Sequence, residues 1–401
     1  MTDTSEATIP QRYPFNAPDR LDLDPRYAEL REQPLIRVQL PYGEPAWLAT
    51  RHADVRTVLG DPRFSRAAAT GRDEPRNTPH QQQTGILSMD PPDHTRVRRL
   101  VAKAFTARRV DQLRPRTRAV AEELVDGMLA AGQPADLVAY LATPLPIRVI
   151  CDLLGVPVSD QDKFHTWSEA IVSTTSLEPG LVQHYLDSLL AYMAGLVARR
   201  RVEPADDLLS AMVRARDEHA DRLSEEEMVM LAAGLLAAGH ETTVTQIPNM
   251  MYVLLTTPGA WDTLRGRPEL VPTAVEELMR FIPLGATAAF ARYATEDVEL
   301  GGVLVRAGEP VVVSIPSANR DGTVFPDADR LDLAREVNPH LGFGHGVHHC
   351  LGAQLARMEL RVVLETLLDR APGLRLAVPE EELTWKSGLL VRGLVAMPVG
   401  W

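Results

Sequence analysis

The most informative stretch of the chain is HLGFGHGVHHCLGAQLARMEL, residues 340–360. Its glycines, at 342, 344, 346 and 352, let the backbone turn tightly and bring amide N–H groups close to a buried ligand. Apolar residues spaced three and four apart follow Cys350, so they predict a helix that begins directly after it. A cysteine at a helix N-terminus has its thiolate favoured by the helix dipole and by nearby donors. The stretch therefore predicts a tight loop that presents a cysteine to a ligand.

Three interpretations of this loop compete. A structural buried cysteine is the simplest, because a lone cysteine most often serves as a small hydrophobic residue. The cluster of His345, His348, His349 and Cys350 suggests zinc as a second interpretation. Adjacent ligands on one tight loop cannot readily surround a tetrahedral ion, however, and no second pair is spaced to complete such a site. The third interpretation comes from a resemblance.

The run Phe343-Gly344-x-Gly346-x-His348-x-Cys350-x-Gly352 resembles the haem-binding signature of the cytochrome P450 family at every defined position. The resemblance implies that Cys350 is the axial ligand of the iron of haem b, that Phe343 packs beside the haem near this sulfur, and that His348 donates to a haem propionate. A thiolate ligand favours cleavage of the O–O bond in a way that a histidine ligand does not. The loop is therefore expected to serve oxygen chemistry.

The resemblance covers residues 20–401 and is closest to the soluble bacterial class of the family. It implies the cytochrome P450 fold, mainly α with small β-sheets. In that fold the haem lies between a long central helix, here at about 224–256, and the helix after Cys350. We expect residues 1–401 to form one domain, with a β-richer part at about 20–65, a helical body at about 93–281 and a mixed C-terminal part that contains the loop 341–352.

The pattern of apolar residues supports this class. Strand-like runs occur at LIRVQL (35–40), AWLAT (46–50), VELGGVLV (298–305), EPVVVSI (309–315) and in the last twenty residues. Apolar spacing of three and four, often ended by proline or glycine, predicts helices at 93–107, 115–131, 137–154, 181–201, 224–256, 268–281 and 351–371. Residues 66–88 form a long polar stretch without a period, which predicts either a binding lid or a solvated loop without a role.

The resemblance assigns roles to two pairs of polar side chains outside the cysteine loop. In AVEELMRF (274–281), Glu277 and Arg280 share one helix face and can form an ordinary surface ion pair. By resemblance they are the family's structural Glu-x-x-Arg pair. In DPPDHTRVRRLV (90–101), His94 and Arg98 also share a face, and the resemblance assigns them to one haem propionate. Arg292 is expected to join His348 at the other propionate, although each of these residues alone could be a solvated charge.

The central helix carries unusual polar residues. Ser224 and Glu227 form a capping-box pattern, and the helix that follows would span roughly 48 Å at 1.5 Å per residue. Tight packing at Gly234 and Gly239 would explain the glycines, but it leaves a carboxylate unexplained in an apolar neighbourhood. AGHETT (238–243) resembles the family's oxygen-binding groove. The resemblance makes Glu241 the relay acid and Thr242 the catalytic hydroxyl, which together deliver protons to oxygen at a dry site.

Composition narrows the class of protein. The chain has 401 residues, of which 45% are hydrophobic and 24% charged, as expected of a globular protein. Its net charge of -12 argues against nucleic-acid binding. Only two cysteines, Cys151 and Cys350, occur, and the N-terminus has no apolar run near the ~20 residues that span a bilayer. We expect a cytoplasmic monomer with no membrane contact.

The resemblance also implies the reaction and its partners. One atom of O2 would enter a C–H or C=C bond, with electrons from NAD(P)H passed through a ferredoxin reductase and a ferredoxin. A basic patch for an acidic ferredoxin is expected at Arg96, Arg99, Lys103, Arg357 and Arg361. Scattered solubilising charge is the alternative for each member of that patch.

The expected substrate is a bulky, mostly apolar small molecule. Stretches such as DPRFSRAAAT (61–70) and VICDLLGVP (149–157) resemble actinobacterial members that oxidise macrolides and other polyketides, such as the oleandomycin epoxidase. Terpenoid or steroid hydroxylation, and a haem-thiolate protein without turnover, are the alternatives. Family positions that line the pocket correspond to small or apolar residues, namely Ile86, Leu87, Leu235, Ala238, Leu284, Ala286, Ala288, Ala289, Leu389 and Leu390.

Overall fold

The computed structural model describes residues 9–15, 20–79, 81, 85–218, 223–285, 288 and 290–401. Helices dominate this part of the chain, which confirms the mainly α class. In chain order they are α1 Arg26–Arg31, α2 His52–Gly60, α3 Asp93–Ala102, α4 Ala107–Ala131, α5 Pro144–Leu154, α6 Gln161–Val172, α7 Pro179–Val202, α8 Leu208–Glu218, α9 Glu225–Thr256, α10 Ala260–Gly266, α11 Val271–Phe281, α12 Ile315–Ala318 and α13 Ala353–Arg370.

Short strands form three small sheets. In chain order they are β1 Gln11–Arg12, β2 Ile36–Gln39, β3 Ala46–Ala49, β4 Phe64–Ser65, β5 Ala135–Asp136, β6 Arg292–Ala294, β7 Val298–Leu300, β8 Val303–Val305, β9 Pro310–Val313, β10 Arg375–Leu376 and β11 Pro398–Gly400. The largest sheet has the order β1-β2-β3-β9-β6-β4, the second β10-β11-β5, and the third is the β7-β8 hairpin. Strand β3 pairs in parallel with β9, with Trp47 opposite Val311, so the N-terminal and C-terminal parts share one sheet.

Several predicted boundaries differ from the structure, each for a local reason. Helix α4 begins at Ala107 rather than at 115 and contains Pro115, since burial of Val110 keeps the preceding turns in contact with the core. The predicted helix 137–154 is interrupted, with a π-helical turn at Val138–Ala142 before α5, whose first residue, Pro144, has no N–H to continue a ladder. The sequence pattern did not predict helices α1, α2, α6, α8, α10 and α12.

The central helix α9 begins as its sequence predicts. The Ser224 Oγ accepts from the Glu227 N–H at 3.0 Å, and the Glu227 carboxylate accepts from the Ser224 N–H at 2.7 Å, which completes the capping box. A Cβ atom at Gly239 would lie 2.9 Å from the Ile150 side chain of α5, so α9 and α5 pack closely at this glycine. At Gly234 there is open space, and the packing explanation is wrong for that position.

The Glu277–Arg280 pair on α11 is fully buried, so the surface-pair interpretation is wrong. The Arg280 Nε donates to Glu277 at 2.8 Å and its Nη2 donates at 2.7 Å. Arg335 and Asn338 each donate to the same carboxylate at 3.1 Å. Removing one member of such a buried pair leaves an uncompensated charge and costs about 3 to 5 kcal/mol. The pair therefore fixes α11 to residues 335–338, just before the cysteine loop.

Among the described residues, no helix combines the length and apolar character needed to cross a membrane.

Candidate active site

The cysteine loop is held by backbone contacts that demand glycine. The Cys350 N–H donates to the Phe343 carbonyl at 2.8 Å, and a 3₁₀ turn at Gly346–His348 lies between these residues. Gly346 has a φ of 71°, in the left-handed region, and a Cβ atom there would lie 2.3 Å from the Leu59 carbonyl oxygen of α2. The loop thus packs directly against α2, and α13 begins three residues after Cys350.

Cys350 occupies a mixed environment. Its side chain is accessible on one side, yet enough protein surrounds it that burial raises the pKa of the thiol. The Gly352 N–H and the guanidinium groups of Arg98 and Arg357 act in the opposite direction. Arg357 also lies over the buried Phe343 ring, 4.4 Å from its centroid. In the described part of the chain, no three His, Cys, Asp or Glu side chains group to hold a metal ion by themselves.

A buried group of basic side chains lies beside the cysteine loop. The His94 and His348 rings are 4.4 Å apart between centroids, and the buried His348 Nε2 has no hydrogen-bond partner among the described residues. Burial lowers the pKa of His348 to about 4, and the charges of Arg292 and His94 act in the same direction. Burial lowers the pKa of Arg292 to about 10, with a further contribution from Arg66. Within the described residues, no carboxylate forms an ion pair with the Arg292 guanidinium, although its side chain is buried.

This group fits a buried dianion. A buried cation without a partner is costly, and arginine grips carboxylates well. Arg98 lies on the cysteine side of the group, where its Nη2 donates to the His349 carbonyl at 2.6 Å. The structure thus brings His94, Arg98, Arg292 and His348 to one region beside the cysteine loop.

Arg66 is a buried residue of this region that the sequence did not reveal. Its Nε donates to the Leu87 carbonyl at 3.1 Å, and its Nη1 donates to the Ala291 carbonyl and pairs with Glu74 at 3.3 Å. Asp90 accepts from the Arg66 N–H at 3.0 Å. In the sequence, Arg66 is one of many charges in an irregular polar stretch, and no spacing marks it as buried.

The neighbouring polar residues Glu241 and Thr242 of α9 differ in their burial. The Thr242 Oγ donates to the Ala238 carbonyl at 2.8 Å, and this side chain is partly accessible. Glu241 is fully buried, and neither carboxylate oxygen has a hydrogen-bond partner in the described structure. Its charged neighbour is Lys386, whose Nζ lies 3.6 Å from Oε1. An acid and a partly accessible hydroxyl therefore stand side by side in the middle of the long helix.

The expected pocket residues come from separate segments. Ile86 and Leu87 lie in a 3₁₀ turn, Gly85–Ser88, that contacts α9. Leu235 and Ala238 lie on α9, and neither is buried. Leu389 and Leu390 lie near the end of α6, where the Leu390 N–H donates to the Val172 carbonyl at 2.7 Å. The Leu284 carbonyl accepts from the Arg392 N–H at 2.8 Å. Ala288 is buried near Tyr13, whose hydroxyl accepts from its N–H at 3.0 Å, while Ala286 and Ala289 lie outside the described residues.

Comparison with known proteins decides the family. A family model described as Cytochrome P450 matches residues 182–370. The chain is 58% identical to the mycinamicin IV hydroxylase/epoxidase of Micromonospora griseorubida, over 98% of this chain and 99% of that protein. This chain belongs to the cytochrome P450 family. It is a P450 monooxygenase, and the family's haem b is its cofactor.

Two further similarities cover the same length. The P450 is 56% identical to the nocardicin C N-oxygenase of Nocardia uniformis subsp. tsuyamanensis, over 98% of this chain and 99% of that protein. A solved structure of a variant of the mixed-function P450 MycG in complex with mycinamicin V has a TM-score of 0.91 and 57% identity, covering 98% of this chain and 100% of that one. Substrate types thus differ among relatives of nearly equal similarity.

Haem b, when bound, supplies the iron at which electrons from NAD(P)H, passed by redox partners, activate O2. We propose that Cys350 would bind the haem iron, that Phe343 would pack beside the haem, and that His94, Arg98, Arg292 and His348 would hold its propionates. The protein's own contribution is to bind the group, exclude water and position protons.

We expect Arg292→Ala to weaken haem retention, because a propionate would lose its buried cationic partner. The loss should be about 1 to 3 kcal/mol, roughly five- to 150-fold in the haem dissociation constant. Transfer of haem to apomyoglobin, followed by absorbance, measures this constant.

Arg98→Ala should weaken haem retention in the same direction. Arg306→Ala, which removes an exposed arginine paired with Asp297 at 2.9 Å, should retain haem as the wild type does. Equal retention in Arg292→Ala and Arg306→Ala would remove Arg292 from the site.

Proposed function

We propose that this P450 inserts one oxygen atom into a C–H or C=C bond of a bulky apolar secondary metabolite of the macrolide or polyketide class. The observation that carries the proposal is the 58% identity, over nearly the whole chain, to a hydroxylase/epoxidase named for mycinamicin IV. All of the described pocket candidates are apolar, which suits such a molecule; they are Ile86, Leu87, Leu235, Ala238, Leu284, Ala288, Leu389 and Leu390.

In this proposal, Glu241 and Thr242 provide the protons that oxygen activation consumes. The Glu241 carboxyl is buried and brings protons inward, while the partly accessible Thr242 hydroxyl holds the group that receives them. The hydroxyl can donate because its own hydrogen bond to Ala238 is local and can be exchanged. A haem-thiolate protein without turnover would have no use for this acid and alcohol.

We further propose a ferredoxin as the direct electron donor. The structure narrows the expected basic patch, because Arg96 pairs with Glu227 at 2.6 Å and Arg357 pairs with Glu276 at 2.8 Å. Arg361 lies 3.6 Å from the same Glu276. In the described residues, Arg99 and Lys103 are exposed and form no ion pair, so they are the charges best able to meet an acidic partner. The monomeric state and the cytoplasmic location stay predictions.

Oxygenation at nitrogen is the second candidate. The 56% identity to a nocardicin C N-oxygenase supports it, because that value is close to the identity with the macrolide enzyme. An amine-bearing substrate would need a polar partner in the pocket, but the described candidate pocket residues are all apolar.

A spectral titration tests the proposal. The purified P450 should be titrated with a panel of macrolides, a nocardicin-type amine and a sterol, following the low-spin to high-spin Soret shift that accompanies substrate entry. We expect a macrolide or related polyketide to give the shift and, with a ferredoxin and its reductase, a product heavier by one oxygen atom. A shift and product with the amine or the sterol alone would overturn the macrolide assignment.

A further inference from the structure

The buried Glu241 carboxylate has one charged contact in the described part of the chain. The Lys386 Nζ lies 3.6 Å from its Oε1, which is beyond hydrogen-bond length, so the contact is an ion pair without a direct hydrogen bond. Burying a carboxylate without polar partners is costly, and this ammonium is what offsets that cost here. The contact therefore bears directly on how Glu241 behaves.

The position of Lys386 is fixed by a segment that packs along α9. Within residues 385–394, the Lys386 N–H donates to the Gly393 carbonyl at 2.7 Å, and Trp385 pairs with Leu394. The Asn249 amide of α9 donates to the Arg392 carbonyl at 2.7 Å. A Cβ atom at Gly393 would lie 2.6 Å from the Thr245 methyl group, so the segment approaches α9 closely at this glycine.

These contacts use one face of the helix. Glu241, Thr245 and Asn249 are four residues apart, so they lie above one another along α9. The segment 385–394 is therefore attached at two turns, and Lys386 meets Glu241 at the third. The lysine is thus held in register with the acid by contacts that do not involve the acid itself.

The two side chains of this ion pair differ in their exposure. The Glu241 side chain is 1% exposed, whereas that of Lys386 is 16% exposed. Water can therefore reach the lysine end of the contact but not the carboxylate behind it. An acid that supplies protons repeatedly must recover each one from solvent, and this side is where the structure offers contact with it.

We propose that Lys386 is a positioning residue for proton delivery, holding the Glu241 carboxylate at the solvent side, where it takes up each proton. The inference rests on the proposed role of Glu241. A proton from bulk solvent, relayed by water at the lysine end, adds to the carboxylate, which becomes a neutral acid and loses its attraction to the ammonium. The side chain then turns toward Thr242, gives up the proton there and returns to Lys386 as a carboxylate.

Lys386→Met tests this, because it removes the ammonium and keeps the apolar stem. With a verified substrate and redox partners, turnover at saturating substrate should fall about tenfold. The solvent isotope effect on kcat should rise, while KM, the substrate-induced Soret shift and the carbon monoxide spectrum stay near wild type. Lys386→Arg should restore most of the turnover. Lys163→Met, which removes a surface lysine paired with Asp160 at 3.0 Å, is the matched control and should leave turnover unchanged.

Two comparisons separate the possible failures. Glu241→Gln combined with Lys386→Met should be no slower than Glu241→Gln alone, since the lysine acts through the acid. Independent losses that multiply would mean a merely structural lysine and would overturn the inference. Normal turnover and isotope effect in Lys386→Met, with Glu241→Gln impaired, would overturn it while leaving the relay intact. Normal behaviour of Glu241→Gln would remove the relay itself. If Lys386→Met did not retain haem, Lys386→Gln against Lys386→Arg would make the same comparison.

Discussion

We expect Cys350→Ser to abolish the red-shifted carbon monoxide band of the dithionite-reduced protein and all monooxygenase activity. This is the largest effect we expect, because a thiolate ligand produces both the spectrum and the electron donation that cleaves the O–O bond. The hydroxyl is close to the thiol in size, so the Phe343–Cys350 backbone contact at 2.8 Å should persist and the loop should keep its shape. The measurement is a reduced carbon monoxide difference spectrum, with circular dichroism to verify folding.

Cys151→Ala is the matched control. Cys151 is buried in α5, and burial raises the pKa of its thiol to about 12, so it does not supply a thiolate. The variant should keep the band and the activity. Loss of the band in folded Cys151→Ala, or its survival in Cys350→Ser, would show that the axial ligand had been assigned to the wrong cysteine.

Thr242→Ala should uncouple the enzyme. Haem and substrate should bind as before, since Thr242 makes its described hydrogen bond only to its own helix. Without the hydroxyl, protons are misdirected, so reduced oxygen leaves as hydrogen peroxide. Product per NAD(P)H should fall about 100-fold, the lower end of what positioned proton transfer contributes. Parallel assays of NAD(P)H oxidation, peroxide and product give this ratio.

Thr243→Ala is the control for Thr242→Ala. Thr243 points about 100° around the helix and is buried, whereas Thr242 is partly accessible. Its removal should alter coupling far less. Normal coupling in Thr242→Ala together with uncoupling in Thr243→Ala would transfer the catalytic role to the neighbouring hydroxyl.

Features set by neighbours in the chain were predictable from sequence. The capping box at Ser224 and Glu227 depends on residues three apart, and the turns around Cys350 depend on glycines within the loop. The glycine at 239 was correctly linked to tight packing, but the same argument failed at 234, because a sequence does not show which helix face meets a neighbour.

Features set by distant segments were not predictable in this way. The spacing of Glu277 and Arg280 shows that they share a face, but their burial depends on Arg335 and Asn338, which arrive from another segment. Lys386 meets Glu241 through a tertiary contact, and no local pattern marks either the lysine or Arg66. The missed helices α6 and α8 are short, and packing rather than periodicity stabilises helices of this length.

The parallel pairing of β3 with β9 affects how the protein is made. Strand β3, at Ala46–Ala49, leaves the ribosome long before its partner at Pro310–Val313, with residues 50–309 between them. At about 5 to 20 residues per second, translation of that interval takes on the order of tens of seconds. Throughout this time the edge of β3 has only β2 beside it, and an unpaired edge is a template for association with other nascent chains. Slower initiation or a lower growth temperature during recombinant expression would therefore reduce encounters between such edges.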